Sequence, residues 1–153
     1  MLKRIIKNER GLTLIELLAV IVILGIIAAI AIPAIGAIMD NSKKDAHIAN
    51  AQQIVSAARL AVTADKNTQS VYTLQQLYDG GYLENIPKSP GKVSTKQYHA
   101  TESKVEIVQK TDSNNKVIGI EYHVKLVDND GKHVYIKGDK DASDLTRDDV
   151  DLN

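Results

Sequence analysis

The chain has 153 residues, a formal net charge of zero, and no Cys, Trp or Phe. That length allows one modest domain beside a membrane segment, and the missing cysteine excludes disulfides and thiolate metal sites. The neutral total hides an asymmetry: residues 1–11 carry Lys3, Arg4, Lys7 and Arg10 against Glu9, a net +3, and the remainder carries −3. An acidic remainder argues against a general nucleic-acid binder, because phosphate affinity needs clustered Lys or Arg.

After the basic stretch, Gly11 opens an apolar run that continues to Met39 and holds one carboxylate, Glu16. Leu12–Met39 is about 28 residues, roughly 42 Å as a helix, enough to cross a bilayer core of about 30 Å. A charge in such a segment costs up to about 2.5–3.5 kcal/mol on insertion scales and marks a group with a partner. No Lys, Arg or His lies between Leu12 and Met39. The partner must therefore come from a terminus, another chain or the headgroup layer. Positive charge before the span and negative charge after it place the N-terminus in the cytoplasm and the C-terminal part outside. A plain membrane anchor fits these residues. A cleaved secretory signal ending at Ala29-Ile30-Ala31 fits them less well, because the run continues past that site and holds Glu16. Pro33 and Gly36 predict a kink or local unwinding within Ala29–Gly36.

The chain turns polar at Asp40, and helical spacing persists. Ile48, Ala51, Val55, Ala58 and Val62 share one face, widened by Ile54 and Ala61, with His47, Asn50, Gln53, Arg59 and Lys66 outside it. One long helix is predicted from about Leu12 to about Asp65. A second, short helix is predicted over Ser70–Leu83, stopped by Gly80-Gly81. Beyond it the pattern alternates: Val105 and Ile107, then Val117–Val127, then Lys132–Lys137, with turn chemistry at Asp112-Ser113-Asn114-Asn115 and Asp128-Asn129-Asp130-Gly131. The expectation is a three- or four-stranded antiparallel sheet, the fourth strand near Lys96–Ala100, packed on the amphipathic half of the helix. Asp139–Asn153 is acidic, poor in apolar residues and expected to be a loose tail.

The order basic leader, Gly11, Leu12-Thr13-Leu14-Ile15-Glu16 and a long apolar stretch resembles the prepilin signal of type IV pilins and pseudopilins. The phrase Gly81-Tyr82-Leu83-Glu84-Asn85-Ile86-Pro87-Lys88-Ser89-Pro90 resembles the helix-to-sheet linker of the same family. Leu12 stands where the family more often has Phe. The resemblance implies an α+β pilin-like ladle: a leader at 1–11, a membrane and assembly half-helix at 12–39, an amphipathic half at 40–66, a head at 67–138 and a tail at 139–153. It implies cleavage by prepilin peptidase between Gly11 and Leu12, N-methylation of Leu12, and pairing of Glu16 with the new N-terminus of its own or a neighbouring subunit. It also implies a helix able to melt near Pro33 and Gly36 in the filament. The implied product is a homo-oligomeric surface filament, assembled by an ATPase and a platform protein from a single-pass precursor in the cytoplasmic membrane. The alternatives are a pseudopilin of a type II secretion or competence DNA-uptake apparatus, and an anchored surface domain that never polymerises.

Other sites fail on spacing. Asp128-Asn129-Asp130-Gly131 lacks the preceding acid and the closing Glu of an EF-hand, so it reads as a hairpin turn. Asp139, Asp141 and Asp144 are weak candidates for a calcium site. His47, His99, His123 and His133 have no zinc spacing, and neither a phosphate loop nor a nucleophile elbow is present. No catalytic constellation and no cofactor is expected. Lys88, Lys92, Lys96 and Lys104 offer a local basic patch for nucleic acid, against the simpler reading of scattered surface lysines.

Overall fold

A computed structural model describes residues 13–64, 69–91 and 96–153, and the chain divides into two compact units, Met1–Met39 and Asp40–Asn153. The first helix, α1 (Leu14–Ala64), belongs to both. Leu12 and Asp65, the ends expected for it, lie outside the described residues. Through Pro33 and Gly36 the helix is unbroken.

In the first unit the apolar side chains of α1 face outward all round: Leu14 is 89% exposed and Ile30 70%. An apolar surface all round a helix is the pattern of a segment that packs against lipid or other protein. By length and composition α1 is able to cross a membrane.

The second unit is an α+β head. Its elements after α1 are β1 (Val71–Thr73), α2 (Leu74–Asp79), β2 (Lys104–Thr111), β3 (Val117–Val127) and β4 (Val134–Asp141), followed by two short 3₁₀ turns, Ala142–Asp144 and Arg147–Asp149. The strands form one antiparallel meander in the order β1-β2-β3-β4. Ala51, Ile54, Val55, Ala58 and Ala61 of α1 join Val105, Val124, Leu126 and Ile136 of the sheet in one buried cluster. Small alanines on the helix let it lie close to the branched side chains of the strands. Leu77 of α2 is completely buried in the same cluster. Leu77→Ala is expected to cost about 2–5 kcal/mol of head stability, read by chemical denaturation in detergent. A loss below about 1 kcal/mol would show that the site collapses around the cavity.

Four features depart from the sequence reading. The helix expected over Ser70–Leu83 is a strand followed by a shorter helix. Thr73 caps α2 through a capping box with Gln76, which fixes the start at Leu74 and leaves Val71-Tyr72-Thr73 free to pair with β2. Its C-terminus does close at the glycines: Tyr82 N donates to Leu77 O, Gly81 N donates to Tyr78 O, and Gly81 has φ +77°. Secondly, the fourth strand is β1. Residues Lys96–Ala100 contribute a single bridge, Lys88↔Gln97, and seat the buried Tyr98. Thirdly, Asp139–Asn153 is docked. Strand β4 runs on to Asp141, Ala142, Val150 and Leu152 are buried, and Asp151 N donates to Tyr135 O on the edge of β4. A short apolar residue every few positions was enough to seat a segment whose composition is acidic.

The fourth departure concerns His47, which the sequence reading set outside the buried stripe. It is fully buried, and the stripe runs His47, Ala51, Ile54, Ala58, Ala61, with Ile48 and Val62 as partly buried flanks. A β-bulge between Leu126 and Val127 explains the place made for it. The bulge lets both Tyr135 and Ile136 of β4 face inward, and the Tyr135 ring lies 4.2 Å from the His47 ring.

Candidate functional site

The N-terminal end of α1 brings Glu16 under the control of Thr13. Thr13 N donates to Glu16 Oε2 at 2.7 Å, Thr13 Oγ1 donates to the same oxygen at 2.8 Å, and Glu16 N donates back to Thr13 Oγ1 at 3.3 Å. Leu17 N then donates to Thr13 O, the first main-chain bond of the helix. This is a reciprocal capping box, and it puts a carboxylate at the positive end of the helix dipole. The sequence reading missed it, although Thr13-Leu14-Ile15-Glu16 has its spacing. Glu16 is thereby held by a main-chain amide one peptide away from Leu12. Gly11 and Leu12, the expected cleavage and methylation positions, lie outside the described residues, as does the leader.

Farther along the exposed half of α1, a Cβ added at Gly25 or Gly36 would meet nothing within 4 Å. Their small size therefore serves no packing within the chain. Where helices associate in a membrane, small residues let backbones approach.

The head holds a buried polar cluster. Asn50 Nδ2 donates to Tyr98 Oη at 3.2 Å, and Tyr98 Oη lies 2.7 Å from His47 Nδ1. With the Asn50 donor already pointing at the phenol oxygen, the phenol proton is assigned to Nδ1, which leaves the His47 proton on Nε2. Nε2 is buried, and the Gly91 main chain, which faces the ring, does not meet full hydrogen-bond geometry with it. Burial lowers His47 from 6.5 to about 4; the Gly91 main chain opposes this, and His133 adds to it. Burial likewise raises the Tyr98 phenol, against the Asn50 hydrogen bond. The Tyr98 and Tyr135 rings pack on His47, so the cluster ties α1 to β4.

Ion pairs fasten the C-terminal segment. Arg147 grips Asp45 of α1 with two hydrogen bonds of 2.7 and 2.6 Å. Lys140 Nζ lies 2.7 Å from Asp149 Oδ2, and with the Thr146 donors it brings that carboxyl down to about 2. The Arg147–Asp45 pair is solvent-exposed, so Arg147→Ala is expected to lower thermal stability only slightly, with the difference fading at high salt. A large, salt-independent drop in melting temperature would contradict this.

The remaining expected positions are dispersed. Asp128 Oδ1 accepts from Lys132 N and His133 N and shapes the β3–β4 turn. Asp141 Oδ1 accepts from Ser143 N and Oγ, while Asp139 and Asp144 are exposed. Among the described residues no group of three His, Asp or Glu is arranged to hold a metal ion. Lys92 of the expected basic patch lies outside the described residues. Lys104 stands in register with Lys125, and Lys125 with Lys137, on the sheet.

No curated protein and no solved structure matches the chain. The family described as the prokaryotic N-terminal methylation motif matches residues 6–32, a stretch that holds Lys7 and Arg10 of the basic leader, Gly11, the capping box and the first part of the apolar surface. The chain therefore carries the prepilin signal of type IV pilins and pseudopilins, on a pilin-like α+β layout with a membrane-capable N-terminal helix.

Proposed function

We propose that this protein is a structural subunit of a type IV pilin-like surface filament. The observation that carries the reading is the exposed apolar half of α1, which begins at Leu14, three residues beyond the end of the leader, with the Glu16 carboxylate of its first turn held by Thr13. Prepilin peptidase cuts between Gly11 and Leu12 and methylates Leu12, leaving the whole apolar helix on the mature chain. The new amine at Leu12 is cationic and neutralises Glu16 of the same or a neighbouring subunit. In low dielectric, pairing offsets much of the desolvation of both charges. Moving from bilayer to filament exchanges lipid contacts for helix contacts, so close packing at Gly25 and Gly36 and the Glu16 pair supply the specificity. Helix near Pro33 and Gly36 yields in the assembled filament, where Pro33 supplies no amide hydrogen to hold the turn.

The precursor is a single-pass protein of the cytoplasmic membrane with its leader inside and its head outside. An assembly ATPase and a platform protein extract it. Domain limits follow the same reading: leader 1–11, assembly half-helix 12–39, amphipathic half 40–66, head 67–138 and C-terminal segment 139–153. The test is Gly11→Val. The expected result is an uncut chain that stays in the membrane and gives no filament in sheared surface fractions. Normal processing of this variant, or filaments built from uncut chain, would refute the reading.

A further inference from the structure

The connection between α2 and β2 is fastened to α1 by two polar side chains. Within it, Ser89 N donates to Lys96 O and Tyr98 N donates to Pro87 O, around the Lys88↔Gln97 bridge. Among the described residues these paired flanks, 87–91 and 96–98, form no main-chain hydrogen bond to the sheet or to α1. Side chains of α1 reach them instead. Asn50 Nδ2 donates to Lys88 O at 3.1 Å and to Tyr98 Oη at 3.2 Å, and Tyr98 Oη donates to His47 Nδ1 at 2.7 Å. His47 and Asn50 are three residues apart, so both reach the flanks from one face of the helix. Ser89, Gly91 and Tyr98 of the flanks are buried.

The two fastenings respond differently to acid. Asn50 does not titrate. At His47 a proton taken from solvent occupies the Nδ1 lone pair, which is the acceptor of the Tyr98 phenol. The phenol then keeps a proton with no acceptor on the ring, while its oxygen already accepts from Asn50. The new charge is also buried. Tyr135 of β4 packs 4.2 Å from the ring, and His133, 4.8 Å from Tyr135, adds like charge. The Gly91 main chain favours the charged ring but does not offset its burial. Asp45, two residues earlier on α1, is engaged by Arg147. A charged His47 therefore gains by reaching water, and the elements over it are held differently. Strand β4 is held by its register with β3, whereas the flanks have no main-chain bond to the rest of the head. Just beyond them the chain is pinned again, with His99 N donating to Val127 O. The flanks are the part that yields.

We propose that protonation of His47 releases the flanks 87–91 and 96–98 from α1, which makes them an acid-opened strap on an otherwise folded head. The strap stands apart from the filament reading. Release bares the Tyr98 ring and so alters the surface that the head presents in acid. With the ring at 6.5 when open and about 4 when closed, the opening constant rises by about 70-fold from pH 7.5 to 4.5.

The test uses the full chain in detergent. The chain has no cysteine, so Ser89→Cys places a lone thiol in the strap and Val105→Cys a lone thiol in the core, both at buried positions. Each is labelled with a dipyridyl disulfide, which remains reactive in acid. At pH 4.5 the strap thiol is expected to label at least about tenfold faster than the core thiol, and about 70-fold faster than it does itself at pH 7.5. Adding His47→Leu is expected to abolish the acid acceleration, whatever the rate that remains. Amide exchange of the unsubstituted chain, corrected for its intrinsic pH dependence, gives the same comparison between residues 96–98 and 124–127. Equal rates at the two thiols would show that acid opens only the whole head, and would overturn the strap. So would labelling of Ser89→Cys that ignores pH, or an acid acceleration that survives His47→Leu.

Discussion

Glu16→Ala is expected to give a chain that is cut and inserted normally and is absent from filaments. Two roles of Glu16 can be separated by neighbouring substitutions. As a cap, Glu16 accepts from Thr13 N and Oγ1; losing a cap costs about 0.5–2 kcal/mol of helix stability. As a charge, it is proposed to neutralise the amine that cleavage creates at Leu12. Glu16→Gln keeps an acceptor for both Thr13 donors and removes the charge, whereas Thr13→Val removes the side-chain cap and keeps the charge. The pairing account expects Glu16→Gln to fail in assembly as completely as Glu16→Ala, and Thr13→Val to assemble. Filament yield measured against processed membrane subunit decides between them. Assembly of Glu16→Gln at the wild-type level would make Glu16 a cap and nothing more.

A second large effect is expected from acid. His47 is neutral in the folded head, with a value of about 4 against 6.5 when exposed. The unfolded chain therefore binds a proton that the folded chain does not, and stability falls as pH drops from about 6.5 towards 4. Above 6.5 this contribution is fully present. At 1.36 kcal/mol per pKa unit the loss is at most about 3 kcal/mol. The paired carboxyls act in a lower window, since Asp149 stands near 2 and Asp45 below 3.8. Melting temperature of the full chain in detergent, followed from pH 6.5 to 4.5, is expected to decline in the wild type and to stay nearly level in His47→Leu. Parallel declines in both would place the sensitive group elsewhere.

The sequence made the apolar half of α1 plain because a long unbroken apolar run has few structural solutions. Strands β2, β3 and β4 were legible for a similar reason: their period-two pattern is bounded by Asp- and Asn-rich turns. His47 was misplaced because side-chain type outweighed position. Its spacing from Ala51 and Ile54 puts it on the buried stripe, and only the bulge that turns Tyr135 inward explains why an imidazole fits there. Strand β1 was lost because three residues show no periodicity, and their strand state depends on β2. The C-terminal segment misled because composition averages away Ala142, Val150 and Leu152, whose burial rests on contacts distant in sequence. At the candidate site, Glu16 was visible as a lone charge, while its link to Thr13 needed the geometry of the helix start. The lysine row could not be read along the chain, since it exists only across three strands in register.

The intact mass of the protein extracted from the cell envelope bears most directly on whether this is a processed filament subunit. A mass equal to residues 12–153 plus one methyl substitution at the N-terminal amine is the expected result. A mass corresponding to the full chain from Met1, in cells that process other proteins with the same signal, would contradict it.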